Sequence, residues 1–326
     1  MGKPEKLITA YGQRVKENVP LAPFTTYKIG GPARWYFEAQ TAPELADACM
    51  KAREDHVPLV ILGGGSNVLV SDDGFPGLVI RNMARKITIR GVRGGRQGEK
   101  AKETVFVEAE SGASMNQLVR YCADEGLAGL EMHLGLPGTV GGAVRMNSKW
   151  GKPFTSVSDC VHQVTVLTND NTVHTIPASE MEFSYGTSRI SRTEEILLTA
   201  TFALARSTPD EVWKIANESI EYRRQSQPQG VKSAGCAFKN LTQSESMIYK
   251  TPGGTVSAGF LIDHAGCKGL CVGDACVSDM HANFIVNKGS ATASDVLELM
   301  DRIEKNVHDT FGVKLHREIV VVGLDE

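Results

Sequence analysis

Three consecutive glycines, Gly63-Gly64-Gly65, leave the apolar run Pro58-Leu59-Val60-Ile61-Leu62 and lead through Ser66 and Asn67 into Val68-Leu69-Val70. A buried strand ending in glycines lets backbone N–H groups approach a ligand with no Cβ in the way, and Ser66 and Asn67 add side-chain donors. Such a concave set of donors suits a phosphate. No Gly-Lys-Ser/Thr follows, so this is not a nucleoside-triphosphate loop, and the spacing and helix opening of the dinucleotide fingerprint are missing too. A tight turn between two strands is the plain alternative. A second glycine-rich segment, Gly135-Leu136-Pro137-Gly138-Thr139-Val140-Gly141-Gly142-Ala143, follows a strand and a helix of its own. Two such loops point to one extended ligand lying between two small α/β lobes, its pyrophosphate held by main-chain donors.

The elements that must position these loops are legible in outline. Residues up to about Lys16 read as a polar lead-in. Gly30-Gly31-Pro32 marks a turn into a strand over 34–39, and Thr41-Ala42-Pro43-Glu44 reads as a capped start of a helix with Leu45, Ala48, Cys49 and Ala52 on one face. The strand from Pro58 follows, then a turn at Asp72-Asp73-Gly74-Phe75-Pro76-Gly77 and a strand over 78–80. The Gly-, Arg- and Lys-rich stretch 92–103 reads as a solvated hairpin loop. A strand over 104–110, a helix over 115–125, paired strands over 160–167 and 172–176, and a strand over 195–204 come next. A helix begins at Ser207-Thr208-Pro209-Asp210 and runs through Tyr222-Arg223-Arg224. Beyond it, 241–257 reads as irregular, followed by a short helix over 261–265 and a strand over 282–286. Thr292 N-caps a long helix whose stripe is Val296, Leu299, Met300, Ile303, Val307 and Phe311; Gly312 stops it before a last strand over 318–322.

Bulk properties narrow the class. With 326 residues the chain can hold two or three cores, and 35 basic against 38 acidic residues leave a net charge of −3 with no basic block. Nothing advertises a nucleic-acid partner or an anionic membrane. The start, Met1-Gly2-Lys3-Pro4-Glu5-Lys6, lacks an apolar signal core, and no later run is long enough to span a membrane. Seven irregularly spaced cysteines fit reduced thiols in a cytoplasm better than a disulfide framework. Cys267, Cys271 and Cys276 lack a Cys-x-x-Cys pair, so no metal site is expected, and His264 and His281 read as packed or capping side chains.

Five segments taken together carry a resemblance. They are Asn18 to Ala33 (NVPLAPFTTYKIGGPA), Leu62 to Ile80 (LGGGSNVLVSDDGFPGLVI), Gly135 to Asn147 (GLPGTVGGAVRMN), Ser233 to Asn240 (SAGCAFKN) and His281 to Asn287 (HANFIVN). In this order, from about Asn18 to the C-terminus, the chain resembles the MurB family, the UDP-N-acetylenolpyruvoylglucosamine reductases. The resemblance implies an α+β chain: a two-lobed FAD-binding domain of the vanillyl-oxidase (PCMH) type, then an α+β MurB C-terminal substrate domain. The corresponding boundaries are 18–84 and 85–206 for the lobes and 207–316 for the substrate domain, with a C-terminal strand in 317–326 returning to the first lobe. The absence of an extended tyrosine-bearing loop suggests the shorter form of the enzyme.

The implied activity is NADPH-dependent reduction of the enolpyruvyl ether of UDP-N-acetylglucosamine enolpyruvate to UDP-N-acetylmuramate, by a cytoplasmic monomer acting on a UDP-sugar. By resemblance, Gly63, Gly64, Gly65, Ser66 and Asn67 hold the FAD pyrophosphate. Gly138, Thr139, Gly141 and Gly142 form a second flavin-contacting loop, and Tyr27 and Ile29 lie near the cofactor. Cys236 stands where the family usually has a proton-donating serine. A thiol, with a reference pKa near ~8.5, gives up its proton more readily than an alcohol, so the exchange is chemically compatible. The alternative for Cys236 is a small packed hydrophobe. Glu318 matches the carboxylic acid that hydrogen-bonds the developing enolate, a role that needs a raised pKa in a partly desolvated setting. Tyr185, Arg223, Lys239, Asn240 and Asn283 are the implied substrate contacts; for Arg223 and Arg224 a helix-surface charge is the alternative.

Three departures bear on function. Gly186, in Ser184-Tyr185-Gly186-Thr187-Ser188-Arg189, stands where the family has its enolate-stabilising arginine. Arg189, three residues on, is the expected replacement, with Arg145 and Arg192 as the other sources of charge. Met146-Asn147-Ser148-Lys149-Trp150-Gly151 loses a loop glycine, and the stretch 241–257 is lengthened. An oxidase of the same flavin fold and a degenerate paralogue that keeps FAD without the chemistry are the competing readings, the second favoured by Gly186.

Overall fold

The computed structural model describes residues 2–97, 100–150 and 154–324. The chain forms two compact units, each assembled from separate stretches. The first takes Met1–Lys16, Trp35–Gly64 and Gly77–Gln225, and the second takes Glu17–Arg34, Gly65–Pro76 and Ser226–Glu326. The segments expected at 18–84, 85–206 and 207–316 map unevenly onto them, since 207–225 groups with 85–206.

In the first unit the helix Ala42–Glu54 starts where its cap dictates, the Thr41 side chain accepting from the Glu44 amide. Its buried face, Leu45, Ala48, Cys49 and Ala52, packs with Leu78 and Ile80. These last two lie on the strand Phe75–Asn82, which runs parallel to Leu59–Leu62 in the register Leu59↔Leu78 to Leu62↔Arg81. The strand Leu59–Leu62 therefore delivers its carboxyl end directly into Gly63, the place where loops of open α/β sheets collect ligands. The expected polar lead-in is a helix, Glu5–Tyr11, because one residue, Leu7, is fully buried in this same core. Burying one such leucine is worth about 1.5–3 kcal/mol, enough to fix a short amphipathic turn.

The rest of the first unit is an antiparallel sheet in the order Val173–Pro177, Val161–Leu167, Ile196–Arg206, Lys100–Glu110, Ile87–Gln97. Val105, Val107 and Ala109 alternate onto its buried face. The helix Met115–Asp124, started by a reciprocal Ser114/Gln117 capping box, lays Met115, Leu118, Val119 and Cys122 on the same core. The solvated loop expected over 92–103 is instead a ladder that continues to Gln97↔Lys100, leaving 98–99 outside the described residues. Cross-strand pairing overrides a glycine- and arginine-rich composition there.

The second unit centres on the helix Ala293–Phe311, with the predicted Thr292 cap completed by Asp295 and a left-handed Gly312 (φ 68°) at its end. Asp72 adds a second cap, its carboxylate accepting from the Ala293 amide at 2.7 Å and the Ser294 amide at 3.0 Å. Val296, Leu299, Met300, Ile303 and Val307 are buried in one core with Ala275, Val277 and Ile285 of the sheet Cys271–Val272, Ala275–Val277, Ile285–Asn287. The last strand, Val320–Val322, runs parallel to Val68–Val70, so the end of the chain returns beside the residues that leave the glycine loop.

Two expectations are corrected here. The irregular stretch over 241–257 contains a helix, Gln243–Tyr249, started by a Thr242/Glu245 capping box. The reduced-thiol reading fails for one pair: Cys271 and Cys276 form a disulfide. The two-residue turn Gly273-Asp274, with Gly273 at φ 51°, sets them opposite each other in register. Cys49, Cys122, Cys160, Cys236 and Cys267 form no disulfide. Among the described residues no helix is long and apolar enough to cross a membrane, and no group of three metal-ligating side chains occurs.

Candidate active site

Both glycine segments meet in the first unit. A Cβ on Gly64 would lie 2.7 Å from the Gly138 Cα, and one on Gly63 would lie 2.5 Å from the Thr139 Oγ1. At Gly64 backbone therefore packs directly on backbone, which only glycine permits, and at Gly63 it packs on the Thr139 side chain. Gly65 is left-handed (φ 62°), and a Cβ there would sit 2.2 Å from the Phe24 carbonyl oxygen.

The two segments differ in what they can offer a ligand. The amides of Gly64, Gly65, Ser66 and Asn67 donate to no acceptor among the described residues. Four successive unspent donors are what a diphosphate requires. In the second segment the amides of Val140 and Gly141 are spent on Ala113 and Ser111, each at 2.8 Å, and that of Gly142 bonds the Thr139 hydroxyl at 3.4 Å. The expectation that both loops supply main-chain donors thus narrows to the first, while the second contributes shape. Tyr27 adds a fully buried hydroxyl with no hydrogen-bond partner among the described residues, and burial raises its pKa, so it stays a neutral donor. Ile29 is buried close by in sequence, its carbonyl accepting from Thr25 Oγ1 at 3.0 Å. The run of four unspent amides has the donor chemistry that the diphosphate of FAD needs.

In the second unit three sequence-distant positions are stitched together. The Asn67 side-chain amide donates to the Glu318 carbonyl at 3.1 Å, and the Val320 amide returns a bond to the Asn67 carbonyl at 3.0 Å. The Glu318 amide in turn donates to the Ala237 carbonyl at 2.8 Å, next to Cys236. Cys236 itself bridges Phe284 and is half-buried, as is Glu318. The turn before it needs Gly235, held at φ 82°.

The expected substrate contacts divide in two. Asn283 is buried and fully used, its amide accepting from Phe238 N at 2.9 Å and donating to Phe238 O at 2.8 Å, so it holds the Cys236 segment in place. Asn240 accepts from the Ala258 amide at 3.1 Å and caps a helix. Lys239, half-buried, is fixed through its backbone amide to His316 O. In the first unit, Tyr185 carries the Lys149 ammonium 3.5 Å from its ring centroid. Arg223 is buried, its guanidinium 3.8 Å from the Trp150 ring centroid, while the Trp150 indole donates to Ser219 Oγ. Its environment is that of a packed side chain. Arg189 is bound through two bonds to Glu195, 2.8 and 2.7 Å, and Arg192 pairs with Glu182 at 2.5 Å. Of the altered segment 146–151, Lys149–Trp150 forms a short strand against Thr155–Ser156, and Gly151 lies outside the described residues.

Sequence reasoning missed Asn287, whose side chain donates to the Tyr27 carbonyl at 3.0 Å, and Glu195, the partner of Arg189. It also missed His133, fully buried beside Arg223. Burial first, and the Arg223 charge second, push its imidazole down to about 4, against weaker opposing effects of Ser156 and Asp159. The native state thus resists taking up a proton that the unfolded chain accepts near 6.5. Stability is complete above that pH and is lost as pH falls toward 4, with a slope of up to about 1.4 kcal/mol per pH unit. Urea unfolding between pH 7 and pH 4 should show this slope in the wild type and a flatter profile in His133→Gln.

Comparison with known proteins assigns both parts of the chain. Residues 33–177 match the model described as FAD binding domain, and residues 227–322 match UDP-N-acetylenolpyruvoylglucosamine reductase, C-terminal domain. The UDP-N-acetylenolpyruvoylglucosamine reductase of Anoxybacillus flavithermus is 36% identical over 324 residues, covering 98% of each chain. That of Caldicellulosiruptor saccharolyticus is 39% identical over 306 residues, covering 93% of this chain and 90% of its own. The crystal structure of MurB from Thermus caldophilus superimposes with a TM-score of 0.74 at 35% identity, covering 95% of this chain and 99% of that one. An FAD-binding domain followed by the reductase C-terminal domain is therefore the fold, and the chain belongs to the UDP-N-acetylenolpyruvoylglucosamine reductase family.

Proposed function

We propose that this chain reduces the enolpyruvyl ether of UDP-N-acetylglucosamine enolpyruvate to UDP-N-acetylmuramate, a step of peptidoglycan precursor synthesis. When bound and reduced by NADPH, FAD would supply the hydride that the substrate's β-carbon receives. The residues that would hold it are the Gly64 to Asn67 amides, with Tyr27 and Ile29 and the segment of Gly138, Thr139, Gly141 and Gly142. Hydride arrival at the β-carbon turns the methylene into a methyl group and places a pair of electrons on the α-carbon, delocalised into the carboxylate. The Cys236 thiol gives its proton to that carbon and is left as a thiolate, which solvent reprotonates. The Glu318 carboxylic acid hydrogen-bonds the carboxylate oxygen as charge collects there. Lys239 and Tyr185 are the remaining candidates to meet the UDP-sugar. The protein acts as a cytoplasmic monomer, where both NADPH and nucleotide sugars are available.

The observation that carries this reading is the hydrogen-bonded path from the Asn67 side chain through the Glu318 and Ala237 backbone to Cys236, which links the first glycine loop to both proposed proton-handling groups. Gly186 supports a second reading, a paralogue that binds FAD but turns over weakly. An anaerobic single-turnover experiment separates the two. Flavin reduced by stoichiometric NADPH should reoxidise on addition of UDP-N-acetylglucosamine enolpyruvate, with UDP-N-acetylmuramate formed one for one. Flavin that stays reduced favours the paralogue, and reoxidation only by oxygen marks an oxidase.

A further inference from the structure

The two arginines that follow Gly186 most closely in sequence are committed to carboxylates, Arg189 pairing with Glu195 and Arg192 with Glu182. Arg145 has no such partner. It ends the helix Val140–Arg145 that begins at the second glycine segment, and its side chain is half-buried. Among the described residues it forms no ion pair, and its one side-chain hydrogen bond is a long one, 3.8 Å, to the Met146 sulfur. Burial alone lowers its pKa, with no carboxylate to offset the effect. A guanidinium remains charged even so, and a partly desolvated charge without a partner costs stability. Its place in the fold says what the charge is for. Its carbonyl accepts from Ser188 Oγ at 2.8 Å, and the Asn147 side chain donates to the Ser184 carbonyl at 3.1 Å. These two bonds clamp 145–147 along the turn Ser184 to Ser188, one on each side of Gly186. That turn is tight, Ser184 and Thr187 exchanging backbone bonds around a left-handed Gly186 (φ 66°), a conformation that disfavours any side chain there.

We propose that Arg145 is the catalytic arginine of this chain, binding the substrate's carboxylate from the segment beside Gly186 and supplying the positive charge that the glycine gives up. The assignment rests on the reductase reading above and replaces Arg189, whose bidentate bond to Glu195 commits its donors elsewhere. A planar guanidinium meets a carboxylate through two parallel hydrogen bonds, which an ammonium on a longer stem does not reproduce.

The test compares two ligands on the FAD-loaded, oxidised protein: UDP-N-acetylmuramate, which carries a carboxylate, and UDP-N-acetylglucosamine, which lacks it. By calorimetry the wild type should prefer the first. Arg145→Gln should erase about tenfold to hundredfold of that preference, as expected for charge-assisted bonds, while binding UDP-N-acetylglucosamine as before. Arg145→Lys should fall between them, and retention of FAD by both variants reports that the fold is intact. In single turnover, Arg145→Gln should slow substrate-driven reoxidation about a hundredfold to a thousandfold with NADPH reduction unaffected. A preference left intact in Arg145→Gln, equal loss of both ligands, or loss of preference in Arg189→Gln instead would overturn the assignment while the reductase reading stands. A wild type that binds neither nucleotide removes that reading and the assignment with it.

Discussion

Replacing Cys236 with alanine is expected to leave FAD content and its reduction by NADPH unchanged and to slow the reoxidation driven by enolpyruvyl substrate about a hundredfold to ten-thousandfold, the usual worth of a positioned acid. The split is expected because a thiol at this point has nothing to do in hydride uptake from NADPH and everything to do with the proton that must reach the α-carbon. The position itself is rigid. Ser233 Oγ bonds the Ile285 carbonyl at 2.7 Å, the Ala237 amide bonds the Asn283 carbonyl at 2.7 Å, and the Asn283 side chain grips Phe238 from both directions. Removing one sulfur atom from such a frame leaves a small void. Cys236→Ser restores a donor at the same place, though a weaker acid, and should recover part of the rate. Iodoacetamide should inactivate the wild type, with protection by UDP-N-acetylmuramate, and leave Cys236→Ser untouched. Of the other four cysteines outside the disulfide, Cys49 and Cys122 are buried and have pKa values pushed up to about 12 by burial, so they compete poorly for the reagent. Unchanged reoxidation in Cys236→Ala would remove the thiol from the mechanism.

What could be read from the sequence follows a physical dividing line. Features written in local chemistry were legible: the Thr41 and Thr292 caps, the Val296 to Val307 stripe and the two glycine segments all depend on a few neighbouring residues. Features decided by a partner far along the chain were not. Leu7 reads as one leucine in a polar tail until the core formed by 37–80 covers it. The stretch 92–103 reads as a loop until the long strands on either side pair. Arg223 reads as an available charge, and nothing in its own segment reveals the Trp150 ring that packs on it. The disulfide lies between these cases. A Gly-Asp pair midway between Cys271 and Cys276 is a hairpin signal, and recognising it would have placed the two sulfurs opposite each other. The Cys236 and Glu318 pairing was carried by resemblance alone, since no local pattern predicts that the Glu318 amide would bond Ala237.

Gly64→Ala is expected to yield a protein that purifies with little or no FAD and unfolds at a lower urea concentration, by about 1–3 kcal/mol. The new methyl group would stand 2.7 Å from the Gly138 Cα, with the Gly138 carbonyl carbon and nitrogen at 3.4 and 3.5 Å. No rotamer change can relieve an overlap with main chain, so one of the two glycine segments has to move. Moving the first displaces the amides of Gly64 to Asn67, the only run of unspent donors found in either segment. Moving the second strains the bonds from Val140 and Gly141 to Ala113 and Ser111. Gly142→Ala provides the contrast, because its Cβ would meet nothing nearer than Thr139 Oγ1 at 3.8 Å. On packing grounds this substitution is tolerated, and alanine favours the helix by up to about 1 kcal/mol. An apoprotein of unchanged or raised stability that nevertheless takes up FAD poorly would show that Gly142 is glycine for the sake of the cofactor, whereas Gly64 is glycine for the sake of Gly138. Absorbance at the flavin band per mole of protein, read beside the unfolding midpoint, distinguishes the two. Full FAD occupancy with an unshifted midpoint in Gly64→Ala would mean that the two segments do not need this contact to hold a diphosphate.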